Sequence, residues 1–462
     1  MKNMAEVRRL LLKRNPWIKN PKRILRDTYI RTYLNSKFKR RYESLLKTIF
    51  LSKYTIVTGP PLVGKTTLLK LLTKKLITEN DLVPIYLHGH DIETIGIRDL
   101  LAVIKFLRIR KKICLLIDDL NTINQQKLVR LEKLIENTQP EMLVIASCHS
   151  RSIDLFQGFL RVELLPLNFM EFFEMLHGKK KLVRGEEREQ LHKLLGGHSG
   201  SLDEFTEDLT DFQSIFEIYL LSGGLFPFVE EVLKYGFFSE DSLVRLYRSI
   251  YKTVRNNCKE YLKEVFVSIL QLITIPYTLE SRASKAKIIR ENFIQCINDL
   301  ADVYIVGLLG YDDEYKIYFR DPIFFSLAVF LQSRSRNLKR TILKWVKGDR
   351  VGYLVENVVF EHLYRMFSRS LKFMRVSSGE IDFLIELLQG RSVGVEVKYR
   401  TRVRYKDISK LRTLYDTEHV SPMILSRTNF VEESIPQVPV SAFLYVFGYL
   451  LEKKGFKANC YE

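Results

Sequence analysis

The sequence predicts an α/β protein of several domains: a parallel sheet wound with helices, an amphipathic-helical middle, a helix–helix–hairpin module and a smaller C-terminal α/β domain. Three observations carry this. Short, continuously apolar runs alternate with helical periodicity early in the chain. A glycine-containing turn, GPPLVGKT at Gly59–Thr66, joins the first such run to a helix. Near the C-terminus an apolar helix precedes two strand-like runs that carry acids and a lysine.

Composition sets the outer bounds. At 46% hydrophobic and 27% charged residues, the chain has globular composition, which excludes global disorder. Its 462 residues suggest three or four domains at ~100–200 residues each. No apolar run reaches the ~18–20 residues that span a bilayer. The longest, Val440–Leu451, reads as a core strand or helix, and the N-terminus lacks the apolar core and cleavage site of a secretory signal. The five cysteines stand singly, so neither a disulfide framework nor a zinc site is expected. The chain reads as cytoplasmic, and any metal must be held by carboxylates, hydroxyls and phosphates.

Lys and Arg outnumber Asp and Glu by 73 to 54, a formal charge of +19. The surplus is concentrated: residues 1–53 hold sixteen basic and three acidic side chains. Smaller basic runs lie at Lys105–Lys112, Lys179–Arg184, Arg334–Lys347 and Lys398–Arg412, where Tyr399 and Tyr405 interleave. Such clusters attract polyanions, DNA foremost, by counterion release. The alternative is a solvated surface rich in Lys and Arg.

Tyr54–Thr58 reads as the first strand and leads into Gly59, Pro60, Pro61, Leu62, Val63, Gly64, Lys65, Thr66 and Thr67, with a helix beyond. GxxxxGK[ST] between strand and helix is a phosphate-binding loop for ATP: its amides and the helix N-terminus face the β-phosphate. Lys65 reaches the β- and γ-phosphates, and Thr66 offers its hydroxyl to Mg²⁺. A second strand, Ile113–Ile117, ends in Asp118 and Asp119. Asp118 is the candidate Mg²⁺ ligand, acting through water. Asp119 is the candidate base that polarises the attacking water, or else a cap on the next segment. A third, Met142–Ala146, ends in Ser147, a polar tip placed to sense the γ-phosphate. Arg161–Leu165 and Pro84–Leu87 supply two more strands of a doubly wound domain.

At this point the chain resembles the archaeal ATPase family of AAA+/STAND-related P-loop proteins that carry a C-terminal PD-(D/E)XK nuclease-like domain. The residues that carry the resemblance are RNPW (Arg14–Trp17), GPPLVGKT, LLIDDL (Leu115–Leu120), LLPLNFMEFF (Leu164–Phe173), GGLFP (Gly223–Pro227) and KIYFRDP (Lys316–Pro322). It implies an oligomeric ATPase with a helical lid over the nucleotide. Relatives use a Thr-Gly-Ser-like turn where Ala146-Ser147-Cys148 stands here. An arginine finger from a neighbouring subunit would complete such a site, with Arg151 and Arg161 in candidate positions.

The helical segment is punctuated by Gly196–Gly200 and Ser222–Pro227. Beyond it, helices over Ser281–Ile289 and Glu291–Ala301 precede strands Val303–Leu309 and Tyr315–Phe319 around Asp312-Asp313-Glu314, the order of a winged helix. Arg282, Lys285, Lys287 and Arg290 leave two roles open for it, DNA contact or scaffold.

Val351–Phe367 has one apolar helical face and contains Glu356. Glu380–Leu387 and Ser392–Lys398 form a hairpin around Gln389-Gly390, with Asp382 on one strand and Glu396 and Lys398 sharing a face of the other. The set resembles a PD-(D/E)XK nuclease site, in which Asp382 and Glu396 hold Mg²⁺ and Lys398 orients water. A degenerate domain that binds without cutting and an unrelated set of surface ion pairs are the alternatives. The expected organisation is residues 1–53 as a basic segment, 54–175 as the P-loop core, 176–240 as lid, 241–335 as winged helix and 336–462 as a restriction-endonuclease-like α/β domain.

Overall fold

The computed structural model describes residues 4–79, 82–95, 97–108, 112–123, 131, 135–136, 139–153, 156–177, 189, 209–333, 337–376, 379–387, 392–405, 407–409, 411–412, 420–428 and 435–455. The expected turns at Gly196–Gly200 and Gln389-Gly390, and the run Lys179–Arg184, lie outside them. The chain divides into two compact units: residues 1–165 with 302–304, and residues 166–301 with 305–462.

The first unit is built on five parallel strands: β1 (Tyr54–Thr58), β2 (Val83–His88), β3 (Ile113–Asp118), β4 (Met142–Ser147) and β5 (Leu160–Glu163), in the spatial order β2-β3-β4-β1-β5. β3 and β4 are buried along their whole length, which is why each reads as an unbroken apolar run. After β1 the chain runs through helix Lys65–Glu79 to the far edge of the sheet, leaving room for β4 and β3 between. That detour puts a crevice at the carboxyl ends of the strands, where doubly wound sheets bind ligands.

The basic residues 1–53 belong to this same unit. They form helices Met4–Arg14, Thr28–Asn35 and Glu43–Phe50 with two short 3-10 turns. Asn15, fully buried, closes the free edge of β2: its Nδ2 donates to the Tyr86 carbonyl (3.0 Å) and its Oδ1 accepts from the Tyr86 amide (2.6 Å). Trp17 Nε1 donates to the Pro84 carbonyl one pleat away (2.8 Å). Side chains thus replace a sixth strand.

Residues 302–304 interrupt the second unit in sequence and seat in the first. The Asp302 carboxylate accepts from the Ser150 hydroxyl (2.7 Å) and the Arg151 amide (2.8 Å), and it lies 2.8 Å from His149 Nδ1. The Tyr304 hydroxyl donates to Glu163 (2.9 Å) and lies 2.8 Å from Thr58 Oγ1, at the end of β1.

In the second unit, helices Leu279–Ala286 and Arg290–Asp302 precede an antiparallel hairpin of β6 (Val306–Tyr311) and β7 (Glu314–Phe319). A mixed sheet follows, ordered β12-β11-β10-β9-β8: β8 (Leu371–Val376), β9 (Gly379–Glu386) and β10 (Ser392–Lys398) are antiparallel neighbours, while β11 (Val420–Ser426) and β12 (Gln437–Pro439) continue parallel to β10. Helix Val351–Phe367 is largely buried, and the apolar run near the C-terminus is the helix Val440–Gly455.

Cys258 and Cys296, expected to stand singly, are joined as a disulfide. Sequence spacing gave no hint of this pairing, because two helices separated along the chain bring the sulfurs together. No single helix among the described residues is long and apolar enough to cross a membrane.

Candidate active sites

The turn after β1 is shaped by backbone that only small residues tolerate. Gly59 (φ +155°) has no room for a side chain, since a Cβ there would fall 2.0 Å from the Leu164 carbonyl oxygen. Gly64 (φ +105°) is pressed against the Tyr42 hydroxyl. Pro60, Pro61 and Val63 are buried and Leu62 is exposed, while Thr67 opens the helix just behind Lys65 and Thr66. The Lys65 ammonium is turned back onto the loop, donating to the carbonyls of Gly59 (2.7 Å) and Pro60 (2.8 Å).

Asp118, at the end of β3, is brought to this loop. Its carboxylate is hydrogen-bonded to the Thr66 hydroxyl and accepts from the Tyr86 hydroxyl (2.7 Å). Burial and the neighbouring Asp119 charge push its pKa up, against the pull of Tyr86, Thr66 and Lys65. Asp119 has left-handed backbone (φ +52°) and a half-open carboxylate that lies 2.9 Å from His88 Nε2. Burial works to raise its pKa, but His88 and Lys65 win and hold it below the usual range. The same hydrogen bond raises the pKa of His88 against the opposing effect of burial.

Ser147 is fully buried, and its hydroxyl accepts from the His149 amide (3.1 Å). Its neighbour Cys148 is buried, and burial raises its thiol pKa against the pull of the Lys65 charge. Arg151 has an exposed side chain, and Arg161 stands exposed on β5. Tyr86, His88 and Cys148 escaped the sequence reading. Tyr86 and His88 carry a faint signal: both are polar near the carboxyl end of β2, where the parallel register sets His88 opposite Asp118. ATP with magnesium fits this site. The glycine-containing loop and Lys65 suit the phosphates, and the Thr66 hydroxyl and Asp118 carboxylate are the oxygen donors that a hard cation bound to phosphates takes.

In the second unit Glu356, Asp382, Glu396 and Lys398 lie in one cluster, together with residues that the sequence did not single out. Asp382 Oδ2 accepts from the Val397 amide across the ladder (2.8 Å). Lys398 Nζ pairs with Glu396 (2.5 Å) and lies 3.8 Å from Asp382. From β7, Lys316 enters the same cluster with no exposed surface: its ammonium is 2.5 Å from Glu380, 3.4 Å from Glu356 and 4.0 Å from Asp382. Tyr318, two residues on and so on the same face, donates to Glu356 (2.7 Å).

Burial and the nearby Asp382 charge raise the Glu356 pKa to about 8. For Lys316, burial is outweighed by Glu356, Asp382 and Glu380, and its pKa rises to about 12. Lys398 is likewise raised by Asp382 and Glu396 against burial. A divalent cation does not fit this arrangement, because an ammonium stands among the carboxylates that would hold it. Among the described residues no group of three or more His, Cys, Asp or Glu is arranged to hold a metal ion.

In sequence, residues 351–443 match the family described as Domain of unknown function (DUF4143). The match takes in Glu356, Asp382, Glu396 and Lys398 and leaves out Lys316 and Tyr318. No curated protein matches the chain. Among solved structures it is similar to a Thermotoga maritima RuvB variant at 15% identity and TM-score 0.27, covering 59% of this chain and 91% of that one. It is similar to Cdc6p from Pyrobaculum aerophilum at 14% identity and TM-score 0.25, covering 65% and 94%. PCH-2 of C. elegans is similar at 14% identity and TM-score 0.23, covering 44% and 57%. The class of the first unit is therefore taken from its own strand order and loop: an α/β unit with a five-stranded parallel sheet and a GxxxxGKT turn between β1 and the next helix.

Proposed function

We propose that the chain is an AAA+-type ATPase that acts on DNA, working as a homo-oligomer. One observation carries the ATPase reading: Lys65 and Thr66, at the start of the helix after β1, meet Asp118 and Asp119, at the end of β3, at one end of the parallel sheet. When nucleotide arrives, the Lys65 ammonium exchanges the Gly59 and Pro60 carbonyls for phosphate oxygens. Thr66 and Asp118 would hold magnesium, which neutralises charge developing on the phosphates. Asp119 accepts a hydrogen bond from the attacking water, in competition with His88.

The DNA reading is supported by the placement of charge. Of the described basic residues in the N-terminal segment, all but the buried Arg40 are exposed. Helices Leu279–Ala286 and Arg290–Asp302 followed by the β6–β7 hairpin support a winged-helix module, and the mixed sheet with its acidic hairpin supports a nuclease-like one.

Lys65→Ala is expected to abolish multiple-turnover phosphate release, and duplex DNA to stimulate the unaltered chain several-fold. Turnover that survives Lys65→Ala would overturn the ATPase reading. Turnover indifferent to DNA favours a second reading, a nucleotide-controlled switch whose nuclease-like domain does not cut. The buried Lys316 speaks for that second reading of the C-terminal cluster, against Mg²⁺-dependent cleavage.

A further inference from the structure

We propose that Lys316 is the resident cation of the acidic cluster, standing where Glu356 and Asp382 would otherwise hold a divalent ion, so that the second unit takes no metal. The inference deepens the non-cutting reading of this domain and is independent of ATP hydrolysis in the first unit.

The position of Lys316 is fixed from several sides. Its strand is tied to helix Val351–Phe367 by the Asn357 side chain, which accepts from the Phe319 amide (2.8 Å) and donates to the Phe319 carbonyl (2.7 Å). One residue on, Arg320 pairs with Glu361 of the same helix (2.9 Å). These contacts hold β7 in register against the helix, and the β-strand period then aims both Lys316 and Tyr318 at Glu356. The ammonium also lies 5.4 Å from the Phe373 ring centre on β8.

With no solvent-exposed surface on Lys316, the lysine has nowhere to swing without moving the strand. A divalent ion entering between Glu356 and Asp382 would meet a buried positive charge, which that ion can neither displace into water nor tolerate as a neighbour. Each carboxylate around it already accepts from a neighbour on one oxygen: Tyr318 on Glu356 Oε1, the Val397 amide on Asp382 Oδ2 and Lys398 on Glu396 Oε1. The matched stretch 351–443 contains the carboxylates and Lys398 but not Lys316, so the counter-cation comes from the preceding hairpin.

The test is a Mn²⁺ titration of the full chain without nucleotide, followed by electron paramagnetic resonance. Unaltered protein and Asp382→Asn should bind Mn²⁺ equally, and unaltered protein should not nick linear, branched or single-stranded DNA with Mn²⁺ or Mg²⁺. Lys316→Gln or Lys316→Met, shown to be folded by an unchanged cooperative melt, should gain one Mn²⁺ that the added Asp382→Asn change removes. A Mn²⁺ ion bound by the unaltered chain and lost in Asp382→Asn would overturn the proposal, as would folded Lys316 variants that gain none. The first comparison requires no Lys316 variant, so the idea can fail even if those variants do not fold. Phosphate release measured on the same samples reports separately on the ATPase reading.

Discussion

At the scale of single residues, two histidines do opposite things with their protons. His88 is held toward its charged form by Asp119, so its pKa lies above the ordinary value near 6.5. While charged, it competes with water for the Asp119 carboxylate. Turnover should therefore rise as pH passes upward through the His88 pKa. His88→Asn, which keeps a hydrogen bond but cannot titrate, should flatten that limb, whereas Asp119→Asn should lower kcat ~100-fold at every pH. A pH–rate profile unchanged by His88→Asn would remove His88 from the mechanism. His362 is locked neutral: Nδ1 donates to the Val358 carbonyl and Nε2 accepts from the Phe169 amide. Burial, helped by Arg365, lowers its pKa to about 4. The unfolded chain then takes the proton more readily, so the stabilisation is complete above pH ~6.5 and lost as pH falls toward 4. The loss amounts to about 3 kcal/mol. His362→Gln, whose side-chain oxygen can still accept from Phe169, should flatten the acid limb of a stability-versus-pH curve measured by denaturant unfolding.

At the scale of elements, what could be read in advance depended on how local the cause was. β1, β3 and β4 are buried on both faces and so spell themselves as apolar runs; each observed strand starts where its run starts. Val351–Phe367 matches its periodicity at both ends. The β6–β7 hairpin is displaced from the expected Val303 start because residues 302–304 are taken up by contacts in the first unit. Lys316 was invisible as a site residue because nothing in its own segment reveals a partner forty residues away on a helix. The edge of β2 was equally silent, since Asn15 covers it by side-chain hydrogen bonds rather than by a strand pattern. Asn15→Ala should leave the Tyr86 amide and carbonyl unsatisfied in a nearly dry place. The expected cost is about 2–3 kcal/mol, with a matching fall in the urea midpoint. An opened strand edge should also make the protein concentration-dependent in light scattering.

At the scale of the whole molecule, charge placement joins fold and function. The N-terminal segment is an integral part of the first unit and yet leaves most of its cations exposed. Their exposure keeps a positive field, which selects polyanions without reading their sequence. If DNA is held by about six of these side chains, the logarithm of affinity should fall against the logarithm of salt with a slope near −5. Lys19, Lys22 and Arg23 are exposed at and just before the short turn Pro21–Arg26. Replacing all three by Ala should leave folding and basal phosphate release unchanged. It should weaken binding alike for unrelated duplexes and reduce the magnitude of the salt slope by roughly 2.7 units. Gel shifts on two duplexes across a salt series measure both effects. A slope that stays the same would move the DNA contact off this surface, and a loss confined to one duplex would mean that the segment reads bases as well as phosphates.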